Sequence, residues 1–294
     1  MSHAHDLTPS SFGRAFAVGI ALNMTFVVIE GLFGWRASSL ALLADAGHNL
    51  GDVGGLLLAW AALAADRLRP NDRHTYGWRR GSILASFANA MILLVAMGSL
   101  AWEAVQRLHS PAPVEGITVM VVAGVGVAVN GTTAALFMAG RKEDLNIRGA
   151  FLHMLADALT SMGVVFAGAL YVWQGWTWID PAVSLAIAAM IVLSTWPLLR
   201  QSVHLLFDGV PEHVDLTALR QSLLTLPGVR DVHDLHVWAM STREVALTVH
   251  LVIPHGHPGD AFLRELDETL RDRFSITHPT IQVETNAIKH IDKV

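Results

Sequence analysis

The chain has 294 residues, 52% of them hydrophobic and 15% charged, with a positive mean hydropathy, where soluble domains carry about 25% charged residues. A net charge of −5 argues against nucleic acid as a partner, and the absence of cysteine excludes disulfides and thiolate metal sites. The deficit of charge is local: nine of the 15 histidines and 13 of the 25 acids follow residue 200. This divides the chain into a short tail over residues 1–15, an apolar part over 16–200 and a polar part over 201–294, long enough for one small domain.

The opening "MSHAHDLTPSSFGR" lacks the basic n-region and cleavage site of a secretory signal, so the first span is expected to be retained. Six segments reach the roughly 20 apolar residues that cross a bilayer: Phe16 to Phe33, Leu40 to Leu63, Ile83 to Val105, Ile117 to Met138, Phe151 to Trp173 and Ala182 to Leu199. Trp35, Trp78, Trp102, Tyr171, Trp173, Trp176 and Trp178 near their ends suit an interfacial aromatic belt. The loop between spans two and three carries Arg67, Arg69, Arg73, Arg79 and Arg80, and that between spans four and five Arg141, Lys142 and Arg148. The positive-inside rule therefore places both termini and the C-terminal domain in the cytoplasm, with the spans in the plasma (inner) membrane.

After Arg200 the pattern becomes that of a soluble α+β domain. "HVDLTALRQSLLTL" has helical spacing and stops at Pro227-Gly228. "RDVHDLHVWAM" and "EVALTVHLVI" read as strands, "DAFLRELDETLRDRF" as an amphipathic helix and "PTIQVET" as a closing strand. The order α-β-β-α-β predicts a small ferredoxin-like sheet with helices on one face.

The second span begins "LLADAGHNLGDVGGLLLAW", placing Asp45, His48, Asn49 and Asp52 where lipid tolerates few such groups. His48 and Asp52 are one helical turn apart, and "FLHMLADALT" in the fifth span repeats the spacing as His153 and Asp157. One such pair alone is compatible with a hydrogen-bonded structural pair, a metal-free proton relay or an ion-pair lock. Two copies supply two imidazoles and two carboxylates, the donor set of a closed tetrahedral site for zinc, and a dication neutralises both acids. Asp45 has no counterpart in the fifth span, where Ala150 stands, and reads as a supporting or helix-packing residue; Asn23 and Asn130 read as interhelical hydrogen-bonding groups, and Glu30 as a paired or cavity-lining carboxylate.

"SLALLADAGHNLGDVGGLLLAW" and "GAFLHMLADALTSMGVV", followed by "VHDLHVW" and "TIQVE", resemble the cation diffusion facilitator family of zinc transporters, from about Phe16 to Glu284. The resemblance implies six spans, a cytoplasmic ferredoxin-like domain, a homodimer, and export of cytosolic divalent metal in exchange for protons. It further implies a preference for zinc over cadmium or manganese, since position 48 is histidine rather than aspartate. Such exchange follows from the ligands: metal needs neutral imidazole and ionised carboxylate, so metal and protons compete for the same four groups. No ATP is required, and no P-loop motif is present. A zinc protease would need an open coordination position and usually H-E-x-x-H, which neither "HNLGD" nor "HMLAD" offers, so an enzyme is not expected.

In the C-terminal domain the resemblance assigns a regulatory zinc to His233, His250 and Glu284, with His278 as a candidate fourth ligand, while strand alternation puts His236 and Trp238 on the opposite face of the first strand from His233. His3, His5, His255 and His257 read as solvated residues. Some relatives bind a further metal in the loop between spans two and three through an aspartate and two histidines; Asp72 and His74 are present, but Trp78 stands in place of the second histidine. The histidine-rich run that many relatives carry between spans four and five is missing. Finally, the resemblance pairs Arg80 with Asp208 as a charge interlock at the waist of the dimer.

Overall fold

The computed structural model describes residues 24–66, 68–138 and 145–286. Asn23, His3, His5, Arg67, Arg141 and Lys142 lie outside the described residues. The helices are α1 (described over 24–36), α2 (Leu40–Asp66), α3 (Gly81–His109), α4 (Gly116–Phe137), α5 (Leu145–Gln174) and α6 (Ile179–Leu206). Among the described residues, four are long and apolar enough to cross a membrane: Gly81–His109, Gly116–Ala135, Phe151–Gln174 and Ile179–Leu206. α2 is interrupted by Asp45, His48 and Asp52 and is not among them.

The observed helices run past the apolar segments because polar residues with good helix propensity continue the turn until proline stops it. Ser110-Pro111 follows α3, and Pro181 lies in the first turn of α6, where its missing N–H costs nothing. α6 also continues through Pro197.

The fold divides into two compact units, one formed by the chain up to Leu57 with Asn89–Pro197, the other by Leu58–Ala88 with Leu198 onward. The first has the inverted pattern of a lipid-embedded bundle. Small residues are buried between its helices, among them Ala41, Ala44, Ala90, Ala123 and Ala167, while Leu32, Ile92, Val95, Phe166 and Leu193 face outward. Without water on the outside, close approach of helices rather than apolar burial drives this packing. α4 and α5 pack antiparallel: a Cβ on Gly126 would lie 3.1 Å from Ser161 Oγ and 2.7 Å from the Phe26 ring.

In the second unit, α7 (Leu216–Leu224), β1 (Asp231–Ala239), β2 (Val245–Val252), α8 (Asp260–Phe274) and β3 (His278–Glu284) realise the expected α-β-β-α-β order. Asp215 caps α7 by accepting from the amides of Thr217 and Ala218. β1 and β2 are antiparallel, whereas β2 and β3 are parallel, with α8 as the crossover that parallel neighbours require. One sheet face packs Val232, Val237, Leu247, Val249 and Leu251 against Leu219, Leu223, Leu266, Leu270 and Phe274 of the helices.

β1 departs from the alternation expected of it. His233 pairs with His250 but His236 pairs with Thr248, so β1 carries one extra residue, with Asp234 at φ 49°. This bulge returns His236 and Trp238 to the face that carries His233, and corrects the expectation that they lie opposite it. The stretch from Leu58 to Ala88 belongs to the same unit: Arg79 bridges Glu244 at 2.9 Å, Thr242 N donates to Ser82 Oγ at 3.1 Å, and Tyr76 meets His278 edge-on.

Candidate metal centre

On α2 the residues Asp45, His48, Asn49 and Asp52 fall at helical spacing and line one face. α5 brings His153 and Asp157 to that face. His48 Nε2 lies 3.7 Å from Asp52 Oδ2 and 3.5 Å from Asp157 Oδ1; His153 Nε2 lies 3.3 Å from Asp52 Oδ2 and 3.7 Å from Asp157 Oδ2. Each imidazole thus faces both carboxylates. These four separations are close to the edge of a tetrahedron with ligands at about 2.0–2.2 Å, which is about 3.3–3.6 Å. No three of the four residues place donor atoms all within 4.8 Å of one another, however, so the two imidazoles and the two carboxylates would have to draw in to close on a metal. Asp52 Oδ2 and Asp157 Oδ2 are buried acceptors without a hydrogen-bond partner. Asp157, whose side chain is 2% exposed against 32% for Asp52 and 42% for His153, is the most deeply buried of the four.

A second buried polar layer lies beside it. Asp45 is fully buried and accepts from Ser161 Oγ at 2.7 Å; Glu30, also fully buried, accepts from Asn49 Nδ2 at 3.3 Å. Both carboxylates are thus hydrogen-bonded to a side chain of a neighbouring helix. Asn130 is buried with neither side-chain polar atom hydrogen-bonded. Ser161 carried no assignment from sequence, although it lies one turn after Asp157 on the same helix face. Asp180 was likewise missed: it accepts from Ser39 Oγ and from the amide of Leu40 at 2.8 Å, and so caps α2 from another helix.

On the sheet, His233, His250 and Glu284 place one donor atom each within 4.8 Å of one another, the one such group of three among the described residues. Glu284 Oε2 lies 3.1 Å from His233 Nε2 and Glu284 Oε1 3.0 Å from His250 Nδ1. His278 is not with them. It opens β3, six residues and about 20 Å along an extended strand from Glu284, and packs against Tyr76. Asp234 faces the other nitrogen of His250, at 3.3 Å from Nε2. His257 Nδ1 accepts from the amide of Gly259 and His255 is exposed.

The loop residues Asp72 and His74 do not gather a third donor. His74 stacks on Trp78 at 4.4 Å, and both belong to no group of three donors within 4.8 Å among the described residues. Arg80 and Asp208 do meet, as an ion pair within one chain with both side chains about half exposed. Asp208 adopts a left-handed φ of 57° just past α6, and Gly209 follows because any Cβ there would strike the His204 ring.

An apolar helical domain that brings two His–Asp pairs together, followed in the chain by an α+β domain with a second donor set, has the make-up of a membrane carrier for metal cations. The chain belongs to the cation efflux family: the family's transmembrane domain matches residues 16–207 and its cytoplasmic domain residues 211–286. Among its relatives, the zinc transporter ZitB of Escherichia coli is 38% identical over 97% of this chain and 93% of its own length. The metal cation efflux system protein CzcD of Cupriavidus metallidurans is 36% identical over 99% of this chain and 92% of its own. A cadmium, cobalt and zinc/H(+)-K(+) antiporter of Bacillus velezensis is 32% identical over 99% and 94%. A solved structure, the metal-bound C-terminal domain of the CzcD transporter from Cupriavidus metallidurans, shares 44% identity over 24% of this chain and 99% of that one, with a TM-score of 0.23.

Proposed function

We propose that the chain is a zinc-preferring secondary transporter that exports cytoplasmic divalent metal in exchange for protons, with His48, Asp52, His153 and Asp157 as the transport site. The observation that carries this reading is the meeting of the two His–Asp pairs of α2 and α5, each imidazole lying 3.3–3.7 Å from both carboxylates. Two carboxylates beside two imidazoles, without a lysine or arginine among them, form a site that a dication or protons must neutralise. Metal takes the lone pairs that protons otherwise occupy, so loading from the cytoplasm and release by protons on the far side use one set of groups. The four ligands leave no open coordination position for a catalytic water, which supports transport rather than enzymology.

Within this reading α1 to α6 are the six spans, the termini are cytoplasmic, and the protein is a homodimer in the inner membrane. The names of the relatives support zinc first and cadmium among the other divalent metals carried. His233, His250 and Glu284 hold a regulatory zinc on the cytoplasmic domain. The test is uptake into inverted vesicles containing the purified chain and a zinc-sensitive dye. Zinc is expected to accumulate with an acidic interior and to stop when nigericin collapses the gradient, with cadmium and manganese competing less well. Zinc uptake that ignores the proton gradient would overturn the exchange.

A further inference from the structure

We infer that Asp234 is the positioning residue of the sheet's metal site: it accepts the Nε2 proton of His250 and thereby presents the Nδ1 lone pair to a metal held with His233 and Glu284. The inference rests on the reading of that trio as a metal site. His250 stands between two carboxylates, with Nδ1 3.0 Å from Glu284 Oε1 and Nε2 3.3 Å from Asp234 Oδ2. His233 Nε2 approaches the other oxygen of Glu284 at 3.1 Å, and the two imidazoles meet edge to face with centroids 5.1 Å apart. The donor atoms that face one another are therefore His250 Nδ1, His233 Nε2 and the Glu284 carboxylate.

A neutral imidazole binds metal through one nitrogen and keeps its proton on the other. If Nδ1 of His250 faces the metal, the proton must be on Nε2, and the group facing Nε2 is Asp234. A carboxylate there selects that tautomer, fixes the ring and raises the basicity of the ligating nitrogen. Asp234 is itself held on its other side, because His236 Nε2 lies 2.9 Å from Asp234 Oδ1. The bulge makes this possible. Regular pairing would send His236 to the helix-covered face, whereas the extra residue keeps His233, Asp234, His236 and His250 within reach of one another. The φ of 49° at Asp234 is also a conformation that aspartate and asparagine adopt at less cost than most residues.

Asp234→Asn keeps the shape and the backbone preference and removes only the charge. The experiment uses the full chain in detergent with Asp52→Asn and Asp157→Asn in the background to silence the transport site, and titrates it with zinc. Asp234→Asn is expected to weaken zinc binding at the sheet by about 10–100-fold, with stoichiometry unchanged and the metal-free thermal midpoint unmoved. His236→Ala should weaken it in the same direction by less. An affinity within twofold of the parent overturns the inference. Loss of one equivalent of zinc would make Asp234 a ligand rather than a positioning residue, and a fall in the metal-free midpoint would make its role structural; either result also overturns it. His233→Ala separates the two levels: if that variant binds zinc as the parent does, the trio is not a metal site at all.

Discussion

Asp157→Asn tests the transport site with the least disturbance of shape. Asp157 is almost completely buried, faces both imidazoles at 3.5 and 3.7 Å, and has one oxygen without a partner. Removing one member of a buried, well-paired charge set costs about 3–5 kcal/mol, and each 1.4 kcal/mol is tenfold in affinity. Zinc bound at the quartet should therefore weaken by about two to three and a half orders of magnitude. The same change at Asp52, whose side chain is 32% exposed, removes a less deeply buried charge, so its cost should be smaller. Zinc titration of each purified variant, paired with pH-driven uptake in vesicles, reads both numbers, with His233→Ala in the background to remove the sheet site. The expected order of loss is Asp157→Asn, then Asp52→Asn. Normal uptake by Asp157→Asn would refute the four-ligand site, and a larger loss at Asp52 would refute the reasoning from burial.

His48→Asp replaces a borderline nitrogen donor with a hard oxygen, so discrimination against manganese and cadmium should relax in a competition assay at fixed pH gradient; an unchanged ranking would place selectivity elsewhere. Arg80→Ala and Asp208→Ala should each lower the thermal midpoint slightly, with a coupling of about 0–1 kcal/mol because both side chains are half exposed. Strictly additive losses in the double-mutant cycle would mean that the pair contributes nothing. Gly126→Val forces a side chain against the Phe26 ring and Ser161, and should cost about 1–3 kcal/mol of overpacking. Gly163→Ala, with open space around it, should be neutral or stabilising in the same thermal assay.

The helices and the donor residues were legible along the chain because both follow local periods. Apolar runs report where helices cross lipid, and a four-residue spacing puts His48 above Asp52 and His153 above Asp157 whatever the rest of the fold does. The α-β-β-α-β order was legible for the same reason. Strand alternation then misplaced His236 and Trp238, because one inserted residue reverses every side chain beyond it and only the pairing with β2 exposes the insertion. A weak signal was present: Val232 and Val237 both belong to the core, which an unbroken alternation forbids. His278, the candidate fourth ligand, opens the strand that Glu284 closes, and an extended strand separates its ends by its full length.

What only the tertiary structure decided is which groups meet across elements: Asp157 with His48, Ser161 with Asp45, Asp180 with the start of α2, and Asp234 with His250. Backbone geometry sets positions within an element, so its consequences can be read from spacing alone. Contacts between elements depend on which faces pack and in what register. That register is settled by small residues such as Gly126, which let helices approach, and by the bulge at Asp234, which shifts a strand by one residue.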